Sequence, residues 1–322
     1  MKIIGTGHYL PEMVLTNQAL EEKVDTSHEW IVERTGIHAR HVVTDETTVT
    51  MASVAALNTF NWDHEVVPRD VGLIIVATST PDHFLPSVAN EVLKHIGSKK
   101  AMAFDVNAAC SGFTHILDIA SSLMMVHKIK YALVIGSETM SNMVDWQDRN
   151  TCILFGDGAG ALLLENDNEK PFIYQKCESI PDEDAVLTTG SIVSTHPILG
   201  DVIPKGARYL KMQGTEVFKF AVKTVHDEIL KAMRKTKLRL DEIDYIILHQ
   251  ANQRISDYIA KKLKVDSEKF YSTIAKTGNT SAASIPIVLD EMNESALLKR
   301  GMKVLLVGFG AGLSYGTIVL EW

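Results

Sequence analysis

Apolar positions along the chain follow two rhythms. Unbroken runs occur at Val71–Ala77, Tyr131–Gly136, Ala161–Leu164, Tyr245–Leu248 and Val304–Val307, and a largely apolar one at Thr317–Trp322. Such runs predict central β-strands covered on both faces. Two further strands are expected at the N-terminus and at Ala101–Phe104, and a short one near Phe270–Tyr271. Elsewhere apolar residues recur at three- and four-residue steps, the period of a helix with one buried face. These stretches cover Thr48–Phe60, a segment from Ser87, Phe113–Met124, Thr215–Arg234, Ala251–Lys264 and the approach to Met292. A further helix around Glu29–Val32 is capped near Asp25-Thr26-Ser27. Residues 166–211 lose both rhythms and are expected to link halves or cover a site.

The order of these elements repeats. Val71–Ala77 followed by Thr78-Ser79-Thr80-Pro81 matches Tyr245–Leu248 followed by His249-Gln250-Ala251-Asn252. The strand, turn and helix around Cys110 match those around Asn279, and Tyr131–Gly136 with Gly156–Glu165 matches Val304–Val307 with Gly308–Glu321. Alternating strands and helices predict an α/β layered fold with helices on both sheet faces. The expected halves are 1–170 and 171–322, with 166–211 between them. Duplication brings equivalent turns together, so Cys110, His249 and Asn279, each just past a strand end, are expected at one site.

At 322 residues the chain exceeds a single-core size, and 46% hydrophobic with 22% charged residues excludes disorder. A net charge of −8 argues against general nucleic-acid binding. Three widely spaced cysteines fit neither a disulfide framework nor a zinc site, and a cytoplasmic, reducing compartment is expected. No signal-peptide core is visible, and no apolar run is expected to span a membrane.

Cys110 falls where a small-residue turn enters a buried helix. There, unpaired N–H groups and the dipole favour a thiolate, which lowers the thiol pKa and makes a nucleophile. A small apolar core residue is the alternative reading. Trp30 and Arg34 share a helix face, either as a surface stack or as a plate for a nucleotide base. The glycine runs Gly156–Gly160 and Gly308–Gly312 lead into strands rather than helices. That order excludes a dinucleotide fingerprint and predicts hairpin-like turns near the site.

Five segments together carry a resemblance. They are Asp25-Thr-Ser-His-Glu-Trp-Ile-Val-Glu-Arg-Thr-Gly-Ile37, Ala108-Ala-Cys-Ser-Gly-Phe113, Leu154-Phe-Gly-Asp-Gly-Ala-Gly160, His249-Gln-Ala-Asn252 and Gly278-Asn-Thr-Ser-Ala-Ala-Ser-Ile-Pro286. In this order, over nearly the whole chain, the sequence resembles the β-ketoacyl-acyl-carrier-protein synthase III family. The resemblance implies a thiolase-like duplicated fold, layered α-β-α-β-α with two pseudo-symmetric mixed sheets. It implies decarboxylating condensation of an acyl-CoA primer with malonyl-acyl-carrier-protein, without a cofactor or metal and with the CoA thioester as substrate. By the same resemblance Cys110, His249 and Asn279 form the catalytic triad, and the Cys110 and Ala311 N–H groups form the oxyanion hole. Trp30 and Arg149 sandwich the CoA adenine, Arg34 lies beside them, and Asn252 lines the pantetheine channel. Lys219, Arg254, Lys261 and Lys262 offer a patch for the acidic carrier protein. A homodimer is implied, with Leu85 as the acyl-pocket gate reaching toward the partner.

Three positions depart from the family's habit. Leu85 stands where relatives often have Phe, which opens the possibility of primers longer than acetyl. Ala311 replaces a common Gly, and Tyr315 a common Trp. Two competing functions are an acyltransferase of secondary metabolism with a non-malonyl acceptor, and a non-catalytic acyl-binding scaffold.

Overall fold

The computed structural model describes residues 1–167, 171–190, 195–196, 200–201 and 209–322. The parts of the 166–211 segment at 168–170, 191–194, 197–199 and 202–208 therefore lie outside the described residues. Strands β1 (Lys2–Tyr9), β2 (Leu73–Ala77), β3 (Met102–Val106), β4 (Tyr131–Thr139) and β5 (Asp157–Glu165) form a mixed sheet in the order β1-β5-β4-β2-β3. β2 runs parallel to β3 and β4, and β5 is antiparallel to β4 and β1. A second sheet contains β6 (Tyr174–Ser179), β7 (Tyr245–Leu248), β8 (Lys303–Gly310) and β9 (Ser314–Glu321), in the order β7-β8-β9-β6.

The principal helices are α1 (His28–Thr35), α2 (Thr48–Asn58), α3 (Val88–His95), α4 (Gly112–Val126), α5 (Gly214–Thr236), α6 (Gln253–Leu263) and α7 (Ser284–Glu294). Residue alternation along the strands explains the layering. Leu73 and Ile75 of β2 and Val304 and Leu306 of β8 join Phe113, Ile116 and Leu117 of α4 and Ile285, Val288 and Leu289 of α7 in one buried cluster. The opposite faces, Ile74 and Val76 on one sheet and Leu305 and Val307 on the other, pack against α2/α3 and α5/α6 respectively. The result is the expected α-β-α-β-α stack.

Several expectations are corrected here. The stretch Ala109–Val126 is long and apolar enough to cross a membrane by length and composition. The fold uses it as the central helix, with Phe113, Ile116, Leu117 and Ala120 fully buried. The irregular 166–211 segment contains β6, which pairs antiparallel with β9 and completes the second sheet. Phe270–Tyr271 is not a strand. The chain there leaves a 3-10 turn at Ser267–Lys269, and the Thr273 N–H donates to the Gln250 side chain instead of a strand neighbour. Among the described residues the second sheet thus lacks a counterpart of β3. The glycine runs are also largely strand rather than turn, because β5 starts at Asp157 and β8 continues through Gly310.

Candidate active site

Cys110 lies in a 3-10 turn, Ala109–Ser111, that feeds directly into α4. Ala109 is held at φ 47°, a left-handed conformation that a side-chain-bearing residue adopts only when its surroundings enforce it. The Ala109 N–H donates to the Asn107 side chain at 3.3 Å. In the other half, Ser281 has φ 50° and donates its N–H to Asn279 Oδ1 at 2.9 Å. The structural equivalent of Asn279 is therefore Asn107, and that of Cys110 is Ala282. Gly310 of β8 runs against the first turn, where an added Cβ would come within 2.9 Å of the Cys110 Cβ.

Asn279 is fixed from both sides. Its N–H donates to the Leu154 carbonyl at 2.8 Å, and its own carbonyl accepts from Gly156 N–H at 3.0 Å. With Oδ1 occupied by the Ser281 N–H, the amide NH2 remains to face a ligand. His249 follows β7, and its N–H donates to the Val307 carbonyl at 2.8 Å. Its ring meets Phe309 edge-on, with centroids 5.2 Å apart. Nδ1 lies 2.8 Å from Ser284 Oγ, which also accepts the Gln250 N–H. The Ser284 hydroxyl and a Ser281 backbone group together fix the orientation of the ring.

Cys110, His249 and Asn279 are all buried and line one cavity of about 1420 Å³. Burial pushes the Cys110 thiol up to about 12 and the His249 imidazole down to about 3. The expectation of a thiol pKa lowered by the helix end is thus corrected. Desolvation of the charged form outweighs the dipole, and the resting pair is a thiol and a neutral imidazole.

Trp30, Arg34, Asn252, Arg254, Lys219 and Ala311 also line the cavity. The Arg149 guanidinium lies 4.9 Å from the Trp30 ring centroid and that of Arg34 lies 5.8 Å away. Arg149 is tied to the Asp25 carbonyl at 2.6 Å, so it occupies the ring face a base would need. Asn252 caps α6 and donates to the Arg34 carbonyl at 3.0 Å, which clasps α1 to α6. Ala311 is not among the positive-φ residues, and the left-handed position of that turn falls on Gly312. The Tyr315 hydroxyl donates to Glu178.

Leu85 is 86% exposed and does not enter its own chain's cavity, although the neighbouring Phe84 lines it. Lys261 and Lys262 lie on the surface of α6, away from the cavity, and Lys219 is paired with Glu216. Sequence reasoning missed Glu138, which is fully buried near Cys110, and Arg40, whose guanidinium donates to the Leu15 and Ile153 carbonyls and to Asn17. A charged residue closing an apolar strand run, as in Ile135-Gly136-Ser137-Glu138, was the available signal. Among the described residues His8, Asp290 and Glu294 stand close enough to share an ion, but none lines the cavity.

Comparison with known proteins gives the family. Residues 104–179 match the model of 3-oxoacyl-[acyl-carrier-protein] synthase III, and residues 233–322 match that of its C-terminal part. The chain is 45% identical to the β-ketoacyl-[acyl-carrier-protein] synthase III of Clostridium botulinum (strain Okra / Type B1), covering 100% of this chain and 98% of that one. The chain belongs to the β-ketoacyl-acyl-carrier-protein synthase III family. A solved synthase III from Aquifex aeolicus VF5 superposes with a TM-score of 0.92 at 40% identity, over 100% of this chain and 99% of that one. The priming β-ketosynthase of the R1128 polyketide biosynthetic pathway superposes with a TM-score of 0.91 at 30% identity, over 99% and 95%. As a synthase III, the chain is a thiolase-fold acyltransferase of fatty-acid biosynthesis that works by condensation.

Proposed function

We propose that the chain condenses an acyl-CoA primer, acetyl-CoA in the first instance, with malonyl-acyl-carrier-protein through an acyl-Cys110 intermediate. The observation that carries this reading is the convergence of Cys110, His249 and Asn279 on one cavity. The Cys110 sulfur attacks the thioester carbonyl as its thiol gives up its proton, CoA leaves, and the departing CoA thiolate takes up that proton. Malonyl-carrier then loses CO2, and the departing CO2 supplies the electron pair of the enolate. That step needs hydrogen-bond donors rather than a base or metal. His249 Nε2–H and the Asn279 NH2 are our assignment for the donors, and the Cys110 and Ala311 N–H groups for the acyl oxyanion. The enolate carbon attacks the acyl carbonyl, the Cys110 thiolate leaves and is reprotonated from solvent, and 3-oxoacyl-carrier is released.

Trp30, Arg34, Arg149 and Asn252 are assigned to CoA. In this reading the adenine displaces the Arg149 guanidinium from one face of Trp30. Lys219, Arg254, Lys261 and Lys262 are assigned to the carrier, and Lys219 and Arg254 line the cavity. The halves 1–170 and 171–322 contribute nucleophile and donors respectively, and a cytoplasmic homodimer is proposed. Among the described residues edge strand β3 pairs only with β2, and Leu85 projects into solvent, which favours a second copy on that side.

The test is intact-protein mass spectrometry with a ladder of acyl-CoAs from acetyl to dodecanoyl. An acetyl adduct that is discharged by malonyl-carrier supports the reading. An adduct restricted to longer primers, or one that survives malonyl-carrier, replaces it with an acyltransferase using another acceptor.

A further inference from the structure

Arg40 is fully buried and has no part in the reaction scheme above, yet it sits against the backbone that holds Asn279. Its Nη1 donates to the Leu15 carbonyl at 3.1 Å and to Asn17 Oδ1 at 2.9 Å. Its Nη2 donates to the Ile153 carbonyl at 2.7 Å. Asn17 is fully buried as well, and its Nδ2 donates to the Ile37 carbonyl at 2.7 Å. Burial pulls the guanidinium down to about 10, which leaves it charged at neutral pH. Among the described residues its Nε has no partner, so a buried cation depends on three neutral acceptors.

Ile153 caps the C-terminus of the short helix Arg149–Cys152, where carbonyls lack partners within the helix. The guanidinium supplies one of them with a donor. From Ile153 the chain runs straight into the two bonds that hold Asn279. The Leu154 carbonyl accepts the Asn279 N–H, and the Gly156 N–H donates to the Asn279 carbonyl, so Phe155 and Asn279 form an isolated parallel bridge. The stem of Arg40 packs on the same join. A Cβ added at Gly156, or at Gly278 just before Asn279, would lie 3.0 Å from the Arg40 Cβ. Arg40 thus touches both sides of the bridge, with its head on the Ile153 carbonyl and its stem against the two glycines. The Cys110 turn is held by other groups, namely the Asn107 side chain and the Ser111–Ser314 hydroxyl pair.

We propose that Arg40 is a positioning residue for Asn279, setting the aim of its amide at the enolate oxygen that forms as malonyl-carrier loses CO2. The inference rests on the donor role assigned to Asn279 above. Arg40 does not line the cavity, so it acts only through the backbone at 153–156 and 278–279. The planar fork reaches the Leu15 and Asn17 acceptors with one nitrogen and the Ile153 carbonyl with another. A lysine, with one ammonium on a flexible stem, cannot hold both in that geometry. Without the guanidinium the 153–156 segment is free to shift, and Asn279 shifts with it. Decarboxylation should then suffer, and acylation at Cys110 should not.

The test is a double-mutant cycle on the full chain, read separately for the two half-reactions. Decarboxylation of malonyl-acyl-carrier-protein is followed as released CO2, and acylation by saturating acetyl-CoA as intact mass. Wild type, Arg40→Gln, Asn279→Ala and the double variant are compared, with folding checked by circular dichroism. Arg40→Gln should slow decarboxylation by roughly 10- to 10²-fold, the scale of a misplacement of about 1 Å, and leave acylation near wild type. In the Asn279→Ala background the same substitution should have little further effect, because the group it positions is gone. Additive losses in the double variant, or equal slowing of both half-reactions, would show general support of the fold and overturn the proposal. A wild-type decarboxylation rate in Arg40→Gln overturns it too. If Arg40→Gln does not fold, Arg40→Lys, which keeps the charge and gives up the fork, takes its place in the cycle with the same expected outcomes. If Asn279→Ala itself decarboxylates at the wild-type rate, the donor role of Asn279 fails and takes the proposal for Arg40 with it.

Discussion

The turns Asn107–Gly112 and Asn279–Ser284 are the same piece of backbone used twice. Each has an Asn whose side chain accepts the N–H two residues on, a left-handed residue at φ 47° or 50°, and a helix that starts within three residues. What differs is the next side chain, Cys110 in one turn and Ala282 in the other. Asn107 also differs from its counterpart, since its Oδ1 accepts a second bond from the Ser79 hydroxyl. The duplicated scaffold sets two equivalent turns face to face, and a few side chains then divide the work. In the proposed reaction one turn carries the nucleophile Cys110 and the other carries Asn279, while His249 comes from the end of β7.

The strongest way to break this division is at the sulfur. Cys110→Ser should abolish the acyl adduct, a loss of at least about 10³-fold, while circular dichroism and melting stay near wild type. Undiminished product formation by this variant would place the nucleophile elsewhere. Next in size is the donor side. His249→Ala or Asn279→Ala should slow malonyl decarboxylation by roughly 10²–10³-fold, the usual cost of one lost oxyanion donor. Acylation, measured separately by mass, should be largely kept. Equal loss of both steps would show that the two turns do not divide the reaction.

A smaller pair of substitutions sharpens the same comparison through packing. A Cβ on Gly310 would press on the Cys110 backbone nitrogen at 3.0 Å, and one on Gly136 would meet the Ala282 carbonyl carbon at 2.8 Å. Each should cost about 1–3 kcal/mol in stability, because neither neighbour is a flexible side-chain end. Their kinetic signatures should differ. Gly310→Ala should act mainly on acylation, and Gly136→Ala mainly on decarboxylation, as measured by the two assays above.

The repeat was legible because both halves write the same rhythm into sequence, so a layered α/β fold with Cys110, His249 and Asn279 just past strand ends followed from pattern, while the five-layer stack came from the family resemblance. The legibility stops where tertiary context decides. Tyr174–Ser179 has little strand rhythm, with exposed Lys176 and Ser179, and becomes a strand only because β9 offers an edge. Phe270–Tyr271 looks like the counterpart of β3, yet the Gln250 side chain takes the Thr273 N–H and no strand forms. The Cys110 environment was misjudged for a related reason. The helix end is visible in sequence, but the depth of burial that outweighs it is not. Glu138 was missed because its three neutral hydroxyl partners come from residues 78, 80 and 281, separations that no local pattern reveals.

The smallest effect is expected where the two halves have no common part. Between β1 and β2 the chain inserts α1 ahead of α2, whereas α5 is the one long helix between β6 and β7 among the described residues. Trp30 of α1 stands at the cavity with guanidinium groups 4.9 and 5.8 Å from its ring centroid. Stacking of a base on an aromatic side chain contributes about 1–3 kcal/mol. Trp30→Ala should therefore raise KM for acyl-CoA about tenfold, since about 1.4 kcal/mol is one decade, with kcat little changed. A truncated acyl-pantetheine thioester, which lacks the adenosine, should show no such change. If the truncated substrate suffers equally, Trp30 supports the fold of α1 rather than the nucleotide, and selection of CoA must lie nearer the two turns.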